Sequence, residues 1–418
     1  GMSVLMPSTG WLGERLGHRT LFVGATLLFT IASVLCGAAW NVEALIIFRA
    51  LQGAGGGTLM TIAMVIAFEI FPPEQRGLAM GVFAFAAILG PAFGPVVGGY
   101  FVEELSWRLI FYINIPLGLI SAIGVWIVLK ETPRKKGGKF DTLGLVTMTI
   151  FLTALLITLT KGQQKGWGSD YIMSLMFIFV VSLAVFLIIE LRHENPFVNV
   201  RVFKHSIFSM AAALSFIIGI GYYGTYFIVP VFLQTILGYT AIQAGVIQLP
   251  GVFLFGFFLL LSGVLNDKTS TRLLVLVGVI VFAAGLHWLS YINLQTSPSM
   301  INVMLIVRGA GLGLLMTPLL TSALGCLPSE QLPMGSGVFN IIRYLGGAFG
   351  IASMDTIIER RELSYLARYS EHQLHSSYAT STFLTSVKSL FQNLGDPALM
   401  AQQKSLALLN MLVSREAL

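Results

Sequence analysis

Apolar residues run along this 418-residue chain in stretches of about 20, divided by short polar or glycine-rich loops. As a helix rising about 1.5 Å per residue, each stretch can cross a hydrocarbon layer of roughly 30 Å. The pattern predicts complete spans at 21–40, 44–70, 77–101, 108–129, 142–160, 171–190, 206–234, 241–265, 272–293, 301–326 and 334–358. Residues 1–9, with Pro7 near their end, read as the tail of a further span. Residues 359–418 mix polar and apolar positions. They read as an extracytoplasmic loop of short amphipathic helices before a missing last span.

Composition agrees with lipid as the solvent. The chain is 56% hydrophobic and 11% charged, with a mean hydropathy of +0.82, whereas a soluble domain carries about 25% charged residues. The expected fold class is therefore an all-α polytopic membrane protein. The net charge of +6 comes from residues scattered over short loops, without a nucleic-acid-binding motif, so nucleic acid is not an expected partner. Arg15, Arg19, Arg76, Lys130, Arg134, Lys135, Lys136, Lys139, Arg192, Arg201, Lys204, Lys268 and Arg272 all fall on one set of alternate loops. The other short loops hold only Arg108, Lys161 and Lys165, and this asymmetry places the first set in the cytoplasm. Cys36 and Cys326 lie far apart inside apolar runs, which argues against a disulfide framework or a thiolate metal site. No Ser-His-Asp, metal-ligand or nucleotide-phosphate arrangement is visible, so neither enzymatic activity nor a cofactor is expected. The start, Gly1 to Gly13, lacks the pattern of a secretory leader.

An internal repeat organises the spans. Glu74-Gln75, then Gly81-Val-Phe83, recur as Glu330-Gln331, then Gly337-Val-Phe339. At the same offset, Leu89-Gly90 and Ala92-Phe-Gly94 recur as Leu345-Gly346 and Ala348-Phe-Gly350. Gly10-x-Leu12-x-Glu14-Arg15 is echoed by Gly263-x-Leu265-x-Asp267-Lys268, and Arg49 by Arg308. Both copies face the same side, as in a parallel repeat about the membrane normal. The expected division is an N-terminal bundle (1–130), a linker with an inserted helix pair (131–191), a C-terminal bundle (192–358) and the loop 359–418.

Three strings carry candidate chemistry. Gly10-Trp-Leu-Gly-Glu14-Arg15-Leu-Gly17-His-Arg19 makes a tight loop in which Glu14 can accept bonds from Arg15, Arg19 or a helix N-terminus. It serves either as a cytoplasmic lock or as a topology anchor. Arg49-Ala-Leu-Gln52-Gly53 places a cation inside a span, at a cost of roughly 2.5–3.5 kcal/mol. A cavity partner or an interfacial position would each accommodate it. Gly90-Pro-Ala-Phe-Gly94-Pro95-Val-Val-Gly98-Gly99 puts small residues on one helix face, which permits close contact with another helix, and its prolines can bend the span.

Together these strings resemble the loop, fourth-span and fifth-span signatures of the major facilitator superfamily. The last of them is found in its antiporters. Trp107-Arg108-Leu-Ile-Phe111-Tyr-Ile-Asn114-Ile-Pro116-Leu-Gly118 is similar to a signature of its fourteen-span drug:proton antiporters, the EmrB/QacA type, which this chain resembles over nearly its whole length. The resemblance implies a major facilitator fold of two pseudo-symmetric bundles and proton-driven efflux of lipophilic, often cationic compounds by alternating access across the cytoplasmic (inner) membrane. It implies protons, small lipophilic substrates and the lipid bilayer as partners, together with a periplasmic adaptor protein and an outer-membrane channel. It also implies a gating role for Gly10, Glu14, Arg15, Gly17 and Arg19 and a part in proton coupling for Arg49 and Gln52. The family's first-span Asp is absent here, and no carboxylate falls near the middle of a complete span. A carrier of a lipid, siderophore or metabolite, or a non-transporting remnant, stays open beside drug export.

Arg343 is the deepest charge and a coupling candidate, with Asn340 nearby; the alternative is a hydrogen-bonding post between helices. Tyr222, Tyr223, Tyr226, Gln234, Gln248 and Arg308 offer aromatic faces and polar handles for a cavity. Ordinary packing is the competing reading for each of them.

Overall fold

The computed structural model describes residues 5–6, 8–71, 76–132, 141–193, 196–266, 268–328, 331–375, 377–393 and 397–417. Pro7, Glu74, Gln75, Arg134, Lys135, Lys136, Lys139, Asp267 and Glu330 lie outside them. Among the described residues the regular structure is helical. In chain order it comprises α1 (Ser8–Leu16), α2 (His18–Gly37), α3 (Val42–Ile70), α4 (Arg76–Glu104), α5 (Leu109–Tyr112), α6 (Asn114–Val128), α7 (Thr142–Lys165) and α8 (Asp170–Arg192). A 3-10 turn, Val200–Lys204, leads to α9 (Ser206–Val231), which continues as a π turn, Phe232–Ile236. Then come α10 (Ala241–Asn266), α11 (Thr271–Leu289), α12 (Pro298–Gly325), α13 (Leu332–His375), α14 (Ser377–Asn393) and α15 (Ala398–Ala417). Among the described residues, 10 spans are long and apolar enough to cross a membrane. The eleventh predicted span, 77–101, coincides with α4.

Local chemistry sets where these helices start. Asn41 Oδ1 accepts from Ala44 N at 2.8 Å and Asp141 Oδ1 from Gly144 N at 2.7 Å, each satisfying a donor that a helix start leaves free. Ser297 caps α12, and Pro298 opens it where no N–H is needed. The span at 108–129 is divided at Ile113 into α5 and α6, and Pro116 sits in the first turn of α6.

Two expectations change. The helix beginning at Leu332 does not stop at 358 but runs to His375. Between Gly350 and His375 there is neither Gly nor Pro, and residues such as Glu359, Arg360 and Arg361 lower hydropathy while favouring helix. The second concerns the glycine stripe. A Cβ on Gly90, Gly94 or Gly98 would meet nothing within 4 Å, so these residues make no close helix contact. Only Gly99 is tight, against Ile242 N at 3.0 Å. Their repeat counterparts behave differently: Gly346 lies against Phe216 O on α9, and Gly350 against Ile220 O. No described segment takes against α4 the place that α9 takes against α13. The helix itself runs unbroken through Pro91 and Pro95.

The chain divides into two compact units, Gly1–Gly350 and Ile351–Leu418. Within the first, α10, α11 and α12 approach through glycines: an added Cβ would lie 2.8 Å from Leu305 O at Gly251, 2.6 Å from Leu315 Cβ at Gly278 and 2.6 Å from Phe255 O at Gly313. Without a hydrophobic force between helices in lipid, such backbone approach supplies much of the attraction. α12 is largely buried by its neighbours whereas most of α8 is exposed, so α12 is central and α8 peripheral. In the second unit α14 and α15 pack together, burying Ala401 and Ser405, with Lys404 Nζ 5.7 Å from the Phe391 ring.

Candidate functional site

The motif residues gather into three assemblies in the first unit. One lies at the N-terminus of α2. Gly17 turns the chain there with a φ of 87°, a conformation costly to any residue with a Cβ. The carboxylate serving this helix start is Glu131, just beyond α6, and not Glu14. Arg19 N donates to Glu131 Oε1 and Thr20 N to Oε2, each at 3.1 Å; the Thr20 hydroxyl also donates to Oε2. His18 N donates to Thr132 Oγ1 at 2.9 Å. Arg19 Nε stands 3.7 Å from Glu131 Oε2, with its guanidinium 4.5 Å from the Trp126 ring. Gly10 lies in α1, while Glu14 and Arg15 are exposed, with Arg15 over Trp11 at 5.0 Å. A carboxylate at a helix N-terminus also meets the positive end of the dipole, which explains the choice of an acid here.

Burial alone would raise the Glu131 carboxyl, but the hydrogen bonds from Thr20, Arg19 and Thr132 outweigh it and hold the group below its ordinary value of 4.5. A lowered folded value means that the unfolded chain takes up the proton first. The contribution is therefore complete above the ordinary glutamate range and is lost as pH falls through the lowered one. Glu131→Gln is expected to cost about 1–2 kcal/mol at neutral pH and to flatten the acid side of the stability profile. Thermal melting of the purified protein across that range checks this, and an unchanged acid slope would contradict it.

The second assembly centres on Ser33, a residue that hydropathy alone does not single out. Gln52 Nε2 donates to Ser33 Oγ at 2.8 Å and Asn114 Nδ2 at 2.9 Å, while Ser33 Oγ donates to Phe111 O at 2.9 Å. One hydroxyl donor and two lone pairs are thereby used in full. Arg49 Nη1 donates to Gln52 Oε1 at 3.1 Å, and its guanidinium lies 4.6 Å from the Phe111 ring. Arg49 itself is exposed, whereas Gln52 and Ser33 are buried. Trp107 and Arg108 stack at 4.7 Å beside Phe111, and Pro116 is exposed. The fourth-span string and the Trp-Arg string are thus two parts of one network joining α2, α3, α5 and α6.

The third assembly is a layer of cations and tyrosines on α9, α12 and α13. Arg308 is 4% exposed; its Nη1 donates to Thr225 Oγ1 at 2.8 Å, and its guanidinium lies 5.8 Å from the Tyr222 ring. Its backbone is pressed against Gly285, so the side chain is directed toward α9. Arg343 Nη2 donates to Asn340 Oδ1 at 2.7 Å, with the Tyr344 ring 5.5 Å away. Ring centroids stand 4.9 Å apart for Tyr222–Tyr223, 5.9 Å for Tyr222–Tyr226 and 5.8 Å for Tyr223–Tyr344. The Tyr344 hydroxyl reaches Met60 Sδ on α3 at 3.5 Å, and Ser336 Oγ reaches Met64 Sδ at 3.2 Å, linking the layer to the first half. Gln248 is buried but turned onto Ala244 O of its own helix, and Gln234 is exposed on the π turn. Neither is brought to the tyrosines by a hydrogen bond.

A buried acidic pair was also missed from the sequence. Glu190, at the end of α8, is wholly buried, and Asp141 is 5% exposed. A Cβ on Gly144 would lie 2.6 Å from Asp141 Oδ2 and 2.8 Å from Glu190 Oε1, so the two carboxyl groups share one small space. The backbone N–H groups of Val198 and Phe197 face Glu190.

Comparison with known proteins adds to this geometry. A model described as Major Facilitator Superfamily matches residues 1–351. The chain is 32% identical over 391 residues to the "Uncharacterized MFS-type transporter YhcA" of Bacillus subtilis, covering 94% of this chain and 73% of that protein. It is 32% identical over 375 residues to the "Multidrug export protein EmrB" of Haemophilus influenzae, and equally to the "Fatty acid resistance protein FarB" of Neisseria gonorrhoeae. Each of these alignments covers 88% of this chain and 73% of the relative. Among solved structures, a bacterial homolog of the human lysosomal transporter Spinster, inward-facing and unoccupied, superposes with a TM-score of 0.58 at 16% identity. That match covers 99% of this chain and 83% of the other, and the likeness is one of fold.

Proposed function

The chain belongs to the major facilitator superfamily, and from that premise we propose that it exports lipophilic compounds across the cytoplasmic membrane by alternating access, in exchange for protons. The observation carrying this reading is the polar layer of Arg308, Arg343 and four tyrosines, held among otherwise apolar helices and joined through Tyr344 and Met60 to the other half. A cation in a span persists only beside a cavity or an acceptor, so such a layer marks a path for solutes. The similarity to proteins named for multidrug export and fatty acid resistance supports a lipophilic cargo. Tyrosine faces suit the cationic cargo implied by the family, whereas the two guanidiniums beside them oppose it. Arg49, Gln52 and Arg343 are the coupling candidates, and Asp141 with Glu190 supplies buried carboxyl groups able to carry a proton. An adaptor protein and outer-membrane channel belong to the same reading, to be tested by co-purification.

Expression of the chain in an efflux-deficient bacterial host should raise resistance to a panel of lipophilic compounds, and a protonophore should cancel the effect. Unaltered susceptibility with the protein present in the membrane at normal level would instead favour a non-transporting role.

A further inference from the structure

We propose that the layer between α9, α12 and α13 binds the negatively charged head of a lipophilic organic acid, with Arg308 and Arg343 as its counter-charges and Tyr222, Tyr223 and Tyr226 against its apolar body. The proposal rests on the export reading and names the class of its cargo.

The argument begins with charge balance. Both arginines lie deep in their helices, Arg308 about 15 Å from the start of α12 and Arg343 about 16 Å from the start of α13, at 1.5 Å per residue. Arg308 is buried and Arg343 half-buried, and a cation withdrawn from water normally has an anion beside it, because desolvation without compensation is expensive. Here neither has one. Among the described residues, no carboxylate lies within ion-pair distance of either guanidinium, and the charged or polarisable groups acting on both are tyrosines. Their protein partners are neutral oxygens: Thr225 Oγ1 for Arg308, and Asn340 Oδ1 together with the Tyr344 hydroxyl for Arg343. The Nε of each arginine is buried with no hydrogen-bond partner. A guanidinium offers five donors in a rigid fork, so most of that capacity is unspent.

The surroundings specify the rest of the ligand. The Tyr222 ring stands 5.8 Å from the Arg308 guanidinium and continues through Tyr223 to Tyr344, whose ring is 5.5 Å from Arg343, so one run of aromatic faces connects the two cations. Tyr222 packs on Phe255 at 6.0 Å and Tyr223 on Tyr344 at 5.8 Å, giving apolar walls. A carboxylate or sulfonate on a flat or chain-like lipophile satisfies both features: bidentate acceptance by a guanidinium, and aromatic contact for its body. A cation would meet the same rings but would be repelled by two fixed positive charges.

The test uses the purified full chain in lipid nanodiscs and two fluorescent probes of equal length, a dansyl-labelled alkyl carboxylate and a dansyl-labelled alkyl trimethylammonium. The carboxylate should bind at least about tenfold more tightly, the equivalent of one charge-assisted hydrogen bond. Arg308→Gln, which keeps a donor for Thr225, should erase that preference, whereas Arg308→Lys should keep part of it; melting curves verify that each variant is folded. Equal or tighter binding of the ammonium probe by the unaltered protein overturns the proposal, as does the absence of binding by either. Carboxylate binding without any transport in cells would refute export and leave this site standing. Export of compounds without carboxylate binding would do the reverse.

Discussion

Under the proposed export, Arg343→Ala should lower efflux at least about tenfold while the protein is made and inserted at normal level. The side chain gives up its hydrogen bond to Asn340 Oδ1 at 2.7 Å and its contacts with the ring and hydroxyl of Tyr344. Asn340 retains its own bond to Ser336 O. Loss of a bond between neutral and charged partners costs about 1.5–3 kcal/mol, and removal of a half-buried cation without a counter-charge returns part of it. Folding should therefore survive. Transport should not, because Arg343 sits where α13 meets α3 through Tyr344 and Met60, and alternating access in this superfamily turns on the interface between halves. Arg343→Lys separates charge from shape, since Lys keeps the cation and loses the planar fork. Efflux at the unaltered rate by Arg343→Ala, with normal protein level, would end the idea. A collapse in level or melting temperature would show instead that Arg343 is a structural post.

Gly346→Ala and Gly90→Ala should have opposite effects, although the two glycines occupy equivalent places in the repeat. A methyl group on Gly346 would be driven into the backbone of α9, against Phe216 O, with the carbonyl carbon at 2.9 Å and Cα at 3.1 Å. Backbone cannot swing aside as a side chain can, so α9 and α13 would have to separate along the line where Gly219 meets Arg343 O. Overpacking of this kind costs typically about 1–3 kcal/mol, and the displaced helix carries Arg343. On Gly90 a methyl group meets nothing within 4 Å, and Ala is the better helix former by up to about 1 kcal/mol. Melting curves of the two variants decide the matter. A similar loss in both would mean that Gly90 is packed after all.

Some of this was legible in one dimension. Crossing a membrane depends on the transfer energy of about 20 consecutive residues, a local sum, so the spans and their all-helical character follow from the apolar pattern. The repeat and the motif strings marked which residues to watch. Arg49 and Gln52, Phe111 and Asn114, and Tyr222 beside Arg308 do come together.

What the pattern could not reach was the choice of partner. Glu14 sits in the motif and looked like the acceptor for the α2 start, but Glu131, 112 residues from Arg19, holds that position because α6 ends beside it. Ser33 was one more small residue in an apolar run until folding brought Gln52 and Asn114 to it. Glu190 ends the predicted span 171–190, yet tertiary contact with Asp141 and Gly144 leaves it wholly buried. Gly90 and Gly346 are alike in sequence and differ only in what stands opposite. Hydropathy is additive along the chain, so the sequence by itself determined which segments are helices in lipid. Hydrogen bonds, ion pairs and backbone approach depend on pairs of residues far apart in sequence, so only the tertiary structure decided which glycines are tight, which carboxylate caps α2 and which arginines lack an anion.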